Sequence, residues 1–215
     1  MASVYVFDAY GTLFDVHAAT AGLRESIGPQ ADRLSELWRA KQLEYSWVRS
    51  LCGAYRDFWS LTEEALDWAI ARTGPLAPDM RAGLLEAYRR LDAYPDVAPA
   101  LTRLRATGAR TAILSNGSPE MLAAAVAGAG LGPLLDHVLS VEAAGVFKTD
   151  PRCYGLATAA FGVAPAEVSF QSSNRWDIAG AARFGFACVW INRSGAPEEY
   201  ADLPPARVVA SLAAL

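Results

Sequence analysis

From Pro95 to its end the sequence alternates helix-like and strand-like segments, and that alternation leaves few folds open. A helix pattern over Val97 to Thr107 precedes a strand at Arg110 to Leu114, and Ser118 to Gly128 reads as a helix with Pro119 at its first position. A strand at His137 to Val141, a helix from Pro151 to Phe161 and a strand at Val168 to Phe170 follow. Trp176 to Phe184 then reads as helix, Ala187 to Ile191 as strand, and Val208-Val209 as a last short strand before a terminal helical turn. Strands separated by single helices pair in parallel, because each crossover returns the chain to the same end of the sheet. One more strand belongs with these, the β-branched and aromatic run Val4 to Phe7. The expected fold is therefore α/β, a Rossmann-like doubly wound parallel sheet.

Between the first strand and Tyr94 the pattern is helical, with Trp38, Tyr45, Trp47, Tyr55, Phe58, Trp59, Trp68 and Tyr88 at helix-like spacings. Breaks near Gly28-Pro29, Gly53 and Gly74-Pro75 to Pro78 suggest about four helices. This block reads as a helical cap inserted into the sheet domain. The expected division is 1–14 and 95–215 for the α/β core and 15–94 for the cap.

Composition narrows the partners. Hydrophobic residues make up 53% and charged residues 20% of 215, enough apolar material to fill a core. The net charge of −4 comes with no dense basic run, so nucleic acid is not an expected partner. The longest uncharged stretch, Met121 to Leu135, is short and contains Pro133, which argues against a membrane span. Cys52, Cys153 and Cys188 are far apart and odd in number, a usage suited to a reducing compartment, and no basic-then-apolar leader is apparent. A cytoplasmic protein is expected.

Function is written at the strand ends. The first strand runs into Asp8, with Thr12 beyond it; the second ends in Ser115, Asn116 and Gly117; Lys148 follows the third; Ser172, Ser173 and Asn174 close the fourth, with Asp177 three residues on. Parallel strands put these ends on one edge of the sheet, where such folds keep their crevices. Taken singly, each has a structural explanation. Asp8 could cap a turn, Ser115 or Ser118 could start a helix, Lys148 and Arg39 could be solvated charges, and Asn174 with Asp177 has the spacing of a capping box. Together they indicate a site. Position 10 holds Tyr rather than a second acid, so the nucleophilic candidate Asp8 has no proton donor two residues away.

The segments Phe7-Asp8-Ala9-Tyr10-Gly11-Thr12-Leu13-Phe14, Leu114-Ser115-Asn116-Gly117, Phe147-Lys148 and Ser172-Ser173-Asn174 with Asp177 resemble the haloacid dehalogenase superfamily. With Trp38-Arg39, Gln42 to Trp47 and Asp57-Phe58-Trp59 in the helical block, the resemblance narrows to its L-2-haloacid dehalogenases. It implies that Asp8 attacks carbon 2 of a small haloacid, inverts that centre and forms an ester that water hydrolyses to a 2-hydroxy acid. Superfamily phosphatases use an acid two residues after the nucleophile to protonate an alkoxide, whereas a departing halide needs no proton. The resemblance further implies that Lys148 keeps Asp8 ionised and that Thr12, Ser172, Asn174 and Tyr154 position the reacting groups. Asp177 would assist the water, and Ser115 and Asn116 at a helix N-terminus would receive the substrate carboxylate. Arg39 would face the departing halide or the substrate, Leu43, one helical turn away, would join Phe58 and Trp176 in an apolar wall, and Tyr10 would also contact the substrate. No metal, no cofactor and a homodimer are implied. Two other readings stay open. A magnesium-dependent phosphatase could cage a metal with Asp8, the residue 10 carbonyl and Asp177, and a catalytically silent binding module could use the same fold.

Overall fold

A computed structural model describes residues 3–215. The chain runs β1 (Val4–Phe7), α1 (Ala18–Ala21), α2 (Arg24–Ile27), α3 (Ala31–Leu51), α4 (Phe58–Thr73) and α5 (Met80–Arg89). It continues as α6 (Val97–Ala106), β2 (Arg110–Ser115), α7 (Pro119–Gly128), β3 (His137–Ser140), α8 (Pro151–Phe161) and β4 (Val168–Ser172). Helix α9 (Arg175–Phe184), β5 (Ala187–Ile191), β6 (Arg207–Val209) and a 3-10 turn at Leu212–Ala214 complete it.

All six strands pair in parallel, in the order β3-β2-β1-β4-β5-β6. The central strands are buried because helices cover both faces: Val4, Val6 and Phe7 of β1 and all of β4, including its polar Ser169, Gln171 and Ser172, are enclosed. The chain winds outward from β1 in one direction and from β4 in the other. These two neighbours therefore form the switch point, outside whose carboxyl ends a crevice must open. Phe7 pairs with Gln171, which brings Asp8 and Ser172 side by side.

The sequence expectations for β2 to β6 hold to within one or two residues. The third strand stops one residue early, at Ser140, where Val141 opens a 3-10 turn capped by the Ser140 hydroxyl. The helical block differs more. The expected breaks near Gly28-Pro29, Gly53 and Gly74 to Pro78 separate α3, α4 and α5, but the first of the four expected helices is two single turns, α1 and α2. Leu23, outside helical backbone at φ −112° and ψ 13°, separates the two early turns, and Gly28 (φ 78°) before Pro29 ends the second. Helix α3 packs along α4 through Trp38, whose indole N–H donates to the Thr62 carbonyl (2.8 Å), and Gln42, whose amide donates to the Thr62 hydroxyl (2.7 Å). Asp57 caps α4 by accepting from the Ser60 amide at 2.9 Å.

The two passages of chain between the sheet and the helical block run together. Phe14 pairs with Ala93, Tyr94 N–H donates to the Leu13 carbonyl (2.9 Å), and Asp15 N–H donates to the Asp92 carbonyl (3.3 Å).

Candidate active site

Asp8 stands one residue beyond β1, its amide still donating to the Gln171 carbonyl of β4 (2.9 Å). The chain then doubles back through Gly11, whose φ of +90° is open to glycine and strained for other residues. That reversal returns the Thr12 hydroxyl to Asp8 Oδ2 at 3.0 Å, while Thr12 itself accepts from the Ser173 amide (2.8 Å). Asn174 donates to the same Oδ2 at 2.8 Å, and the Ser172 hydroxyl approaches it at 3.5 Å. Three donors thus fix Oδ2. Lys148 alone donates to Oδ1, at 3.0 Å, leaving that oxygen a free lone pair.

Lys148 is fully buried between two carboxylates. Its ammonium donates to Asp8 and, at 2.9 Å, to Asp177 Oδ2. Burial opposes its charge, but Asp177 and Asp8 outweigh that opposition and raise its pKa above the ordinary lysine value. Asp177 has no exposed surface. Burial lifts its pKa to about 6; Lys148 and the Tyr154 hydroxyl pull it down while the charge of Asp8 pushes it up. Tyr154 donates to Asp177 Oδ1 at 2.8 Å. Gly180, one turn along α9, permits this: a Cβ there would lie 2.5 Å from the Tyr154 hydroxyl and 2.7 Å from Thr149 Cβ.

The structure therefore decides against the capping alternative for two residues. Asn174 does begin α9, but its side chain caps nothing there; it holds Asp8 and the Tyr10 carbonyl (3.2 Å) instead. Asp177 is likewise not half of a capping box: the Asn174 amide donates to the Ser172 hydroxyl (3.1 Å), and the Asp177 oxygens accept from Lys148 and Tyr154, one donor each. Tyr154 acts on Asp177 and not on Asp8.

Eight of the expected residues line one cavity: Asp8, Tyr10, Arg39, Leu43, Phe58, Ser115, Asn116 and Trp176. It has about 10 Å³ of room, the space of one water. Ser115 and Asn116 close it from β2 and the loop before α7. Ser115 accepts from the Gly117 amide (3.1 Å) and Asn116 from the Lys148 amide (3.0 Å), so the two loops are tied together. Ser118 makes the helix cap, accepting from Met121 N–H. Thr12, Lys148, Ser172 and Asn174 stand behind Asp8, and Asp177 and Tyr154 behind Lys148.

Opposite the sheet, Arg39 extends from α3. It donates to Gln42 Oε1 at 2.7 Å and reaches the Tyr10 carbonyl only at 3.5 Å. No carboxylate pairs with it among the described residues. Gln42 and Tyr88, which hydrogen-bonds it at 3.1 Å, were not singled out in the sequence as site residues. The three-residue step from Arg39 to Gln42 was the available signal. Tyr10 lies against Tyr88 with ring centroids 5.7 Å apart, and burial pushes its phenol pKa far up, so it presents a neutral ring to the cavity.

A carboxylate at the switch point of a parallel sheet, held by a buried lysine and faced by an arginine without an acidic partner from a helical insertion, is the arrangement of a hydrolase site. Comparison with known proteins gives the family. A model described as haloacid dehalogenase-like hydrolase matches residues 2–185. (S)-2-haloacid dehalogenase 1 of Pseudomonas sp. (strain CBS-3) is 49% identical over 98% of this chain and 93% of its own length. (S)-2-haloacid dehalogenase 4A of Burkholderia cepacia is 49% identical over 98% and 91%. The crystal structure of the Xanthobacter autotrophicus L-2-haloacid dehalogenase with chloropropionic acid covalently bound superimposes with a TM-score of 0.89, at 39% identity, covering 99% of this chain and 96% of that one. The chain belongs to the haloacid dehalogenase-like hydrolases, on the branch of the (S)-2-haloacid dehalogenases.

Proposed function

We propose that this protein hydrolyses short L-2-haloacids to 2-hydroxy acids with inversion, through an ester on Asp8. The observation that carries the reading is the ionic arrangement around Asp8: a carboxylate with one oxygen fixed and one lone pair free, 3.0 Å from a buried ammonium. Asp8 Oδ1 attacks carbon 2 from the side opposite the halogen. The carbon–halogen bond breaks as the carbon–oxygen bond forms, and the halide leaves with the bonding electrons toward Arg39. Water then adds to the Asp8 carboxyl carbon, and cleavage of the acyl carbon–oxygen bond releases the hydroxy acid. Asp177, its pKa raised to about 6, takes the proton from water and is ionised at neutral pH. Leu43, Phe58, Tyr10 and Trp176 keep other water away from the reacting carbon, while Ser115 and Asn116 receive the substrate carboxylate.

The covalent chloropropionic acid in the Xanthobacter structure supports the ester route. Two features of this chain favour it over phosphate-ester hydrolysis. Tyr10 supplies no acid for an alkoxide, and the Lys148 ammonium stands between Asp8 and Asp177, the two carboxylates a divalent ion would need. The reaction is thus proposed to need no metal or cofactor. Residues 15–94 are proposed as a cap on a core of 1–14 and 95–215, of which residues 1–2 lie outside the described residues. The paired passages at Phe14 and Ala93 support that division. A cytoplasmic homodimer is the proposed working form. Among the described residues no helix is long and apolar enough to cross a membrane.

The test is halide release from L- and D-2-chloropropanoate in excess chelator, with a single turnover in heavy-oxygen water. Release from the L acid only, with the label in the Asp8 carboxyl group, is expected. No release until magnesium is restored, or label confined to the product, overturns the reading.

A further inference from the structure

The cavity at Asp8 is too small for a halocarboxylate, so substrate cannot arrive without a wall moving. One wall has a large space on its other side. Trp176 lines both the catalytic cavity and an open cleft of about 770 Å³. Across from it stands Trp47, from the C-terminal half of α3, its ring edge-on to Trp176 with centroids 5.6 Å apart. Trp47 also lines the cleft and is 37% exposed. Trp176 of α9 is thus shared by the two spaces, and Trp47 of the helical block, which lines the cleft alone, packs against it. Neither indole N–H makes a hydrogen bond among the described residues, so parting them breaks only apolar contact.

The cleft suits an amphiphilic acid. Its walls are largely apolar, with Phe184, Tyr200 and Leu203 facing Trp176, and no acidic residue lines it. Its one charged lining residue is Arg183, exposed at the end of α9 and without an ion pair or hydrogen bond among the described residues. On a chain of net charge −4, an unpaired guanidinium at the mouth of an apolar cleft is a local attractor for carboxylates.

We propose that this cleft is the vestibule through which the organic acid enters and leaves. Arg183 captures the carboxylate, the apolar walls hold the alkyl chain, and the Trp47–Trp176 pair is the gate. The identity of the acid rests on the dehalogenase reading. Passage then runs from the outer cation, Arg183, to the inner one, Arg39. The gate sets the chain length admitted, because a longer alkyl group must clear both indoles before carbon 2 reaches Asp8.

The experiment measures halide release from (S)-2-bromopropanoate and (S)-2-bromohexanoate at low and high ionic strength. In Arg183→Gln, kcat/KM falls about tenfold at low salt, loses most of its salt dependence and leaves kcat unchanged, as expected of a steering charge; Arg183→Lys retains the parental profile. Trp47→Ala raises kcat/KM for the hexanoate relative to the propanoate by roughly fivefold, in line with a few removed apolar contacts, while Trp47→Phe does not. Leu203→Trp fills the cleft from the far wall and lowers kcat/KM for both acids, so the question does not depend on Trp47→Ala folding. Unchanged salt dependence in Arg183→Gln together with full activity in Leu203→Trp overturns the vestibule while leaving the reaction intact. A parent protein that releases no halide from either acid overturns both readings.

Discussion

The sheet side and the helical side of the cavity hold their cations in opposite ways. On the sheet side Lys148 is buried and saturated, donating to Asp8 at 3.0 Å and Asp177 at 2.9 Å. On the helical side Arg39 is half-buried and has only neutral partners, the Gln42 amide and a distant Tyr10 carbonyl. A cation shared by two carboxylates has little left for an incoming anion, whereas a guanidinium with five donors and no counter-ion is ready for one. In the proposed mechanism the difference divides the work: the sheet would prepare the nucleophile, and the helices would receive the anion it displaces.

The largest effect belongs to the residue that both sides serve. Asp8→Asn should lower turnover by on the order of 10⁵-fold, the scale of losing a covalent nucleophile. The fold should stay, because Asn keeps the shape and Lys148 retains Asp177. Halide-release kinetics beside a thermal melt check it. Retained turnover would move the nucleophile elsewhere and dissolve the comparison.

The two cations then separate by stability. Lys148→Met leaves Asp8 and Asp177 facing each other in the interior and should cost about 3–5 kcal/mol, the range for stranding a buried charge, along with most of the activity. Arg39→Gln strands no carboxylate. It should lower kcat by roughly 10²–10³-fold, as removal of an anion-stabilising donor does, and shift stability by less than about 1 kcal/mol. Denaturant titrations with initial rates for both variants measure the contrast. Equal stability losses would break it.

How much of this was readable beforehand also divides between the two sides. Strands such as Ala187 to Ile191 are legible from composition, being apolar and largely buried, and an Asp or Ser at the end of such a run lands on the sheet edge whatever the strand order. The order itself was not readable, since nothing in Val4 to Phe7 says that β4 is its neighbour. Asn174 and Asp177 were ambiguous because the spacing that caps a helix also turns both side chains toward the loops behind Asp8. Only the approach of Lys148, which comes from a distant segment, decides between these. On the helical side Arg39 and Leu43 could be paired by one turn of helix. Gln42 is not legible in the same way, because a glutamine beside Lys41 and Glu44 reads as a solvated helix position until Thr62 and Tyr88 are seen against it.

The smallest predicted effect sharpens the sheet side from within. Asp177 has a folded pKa near 6, against 3.8 for an ordinary aspartate. Two consequences of opposite sign follow. As a proton acceptor it works when ionised, so the hydrolytic step should slow as pH falls through about 6, approaching tenfold per unit below it. As a buried acid whose pKa rises on folding, it favours the folded state below about pH 4 and loses that contribution as pH climbs through about 6, because the folded chain binds the extra proton in between. Activity and this share of stability should therefore run against each other over the same two units. The rate limb appears in single-turnover hydrolysis of the Asp8 ester, and the stability limb in melts of the parent minus those of Asp177→Asn, a difference that cancels the carboxylates elsewhere. A parent rate that stays flat from pH 5 to 7 would take the water's proton away from Asp177 and leave it only the task of holding Lys148 in place.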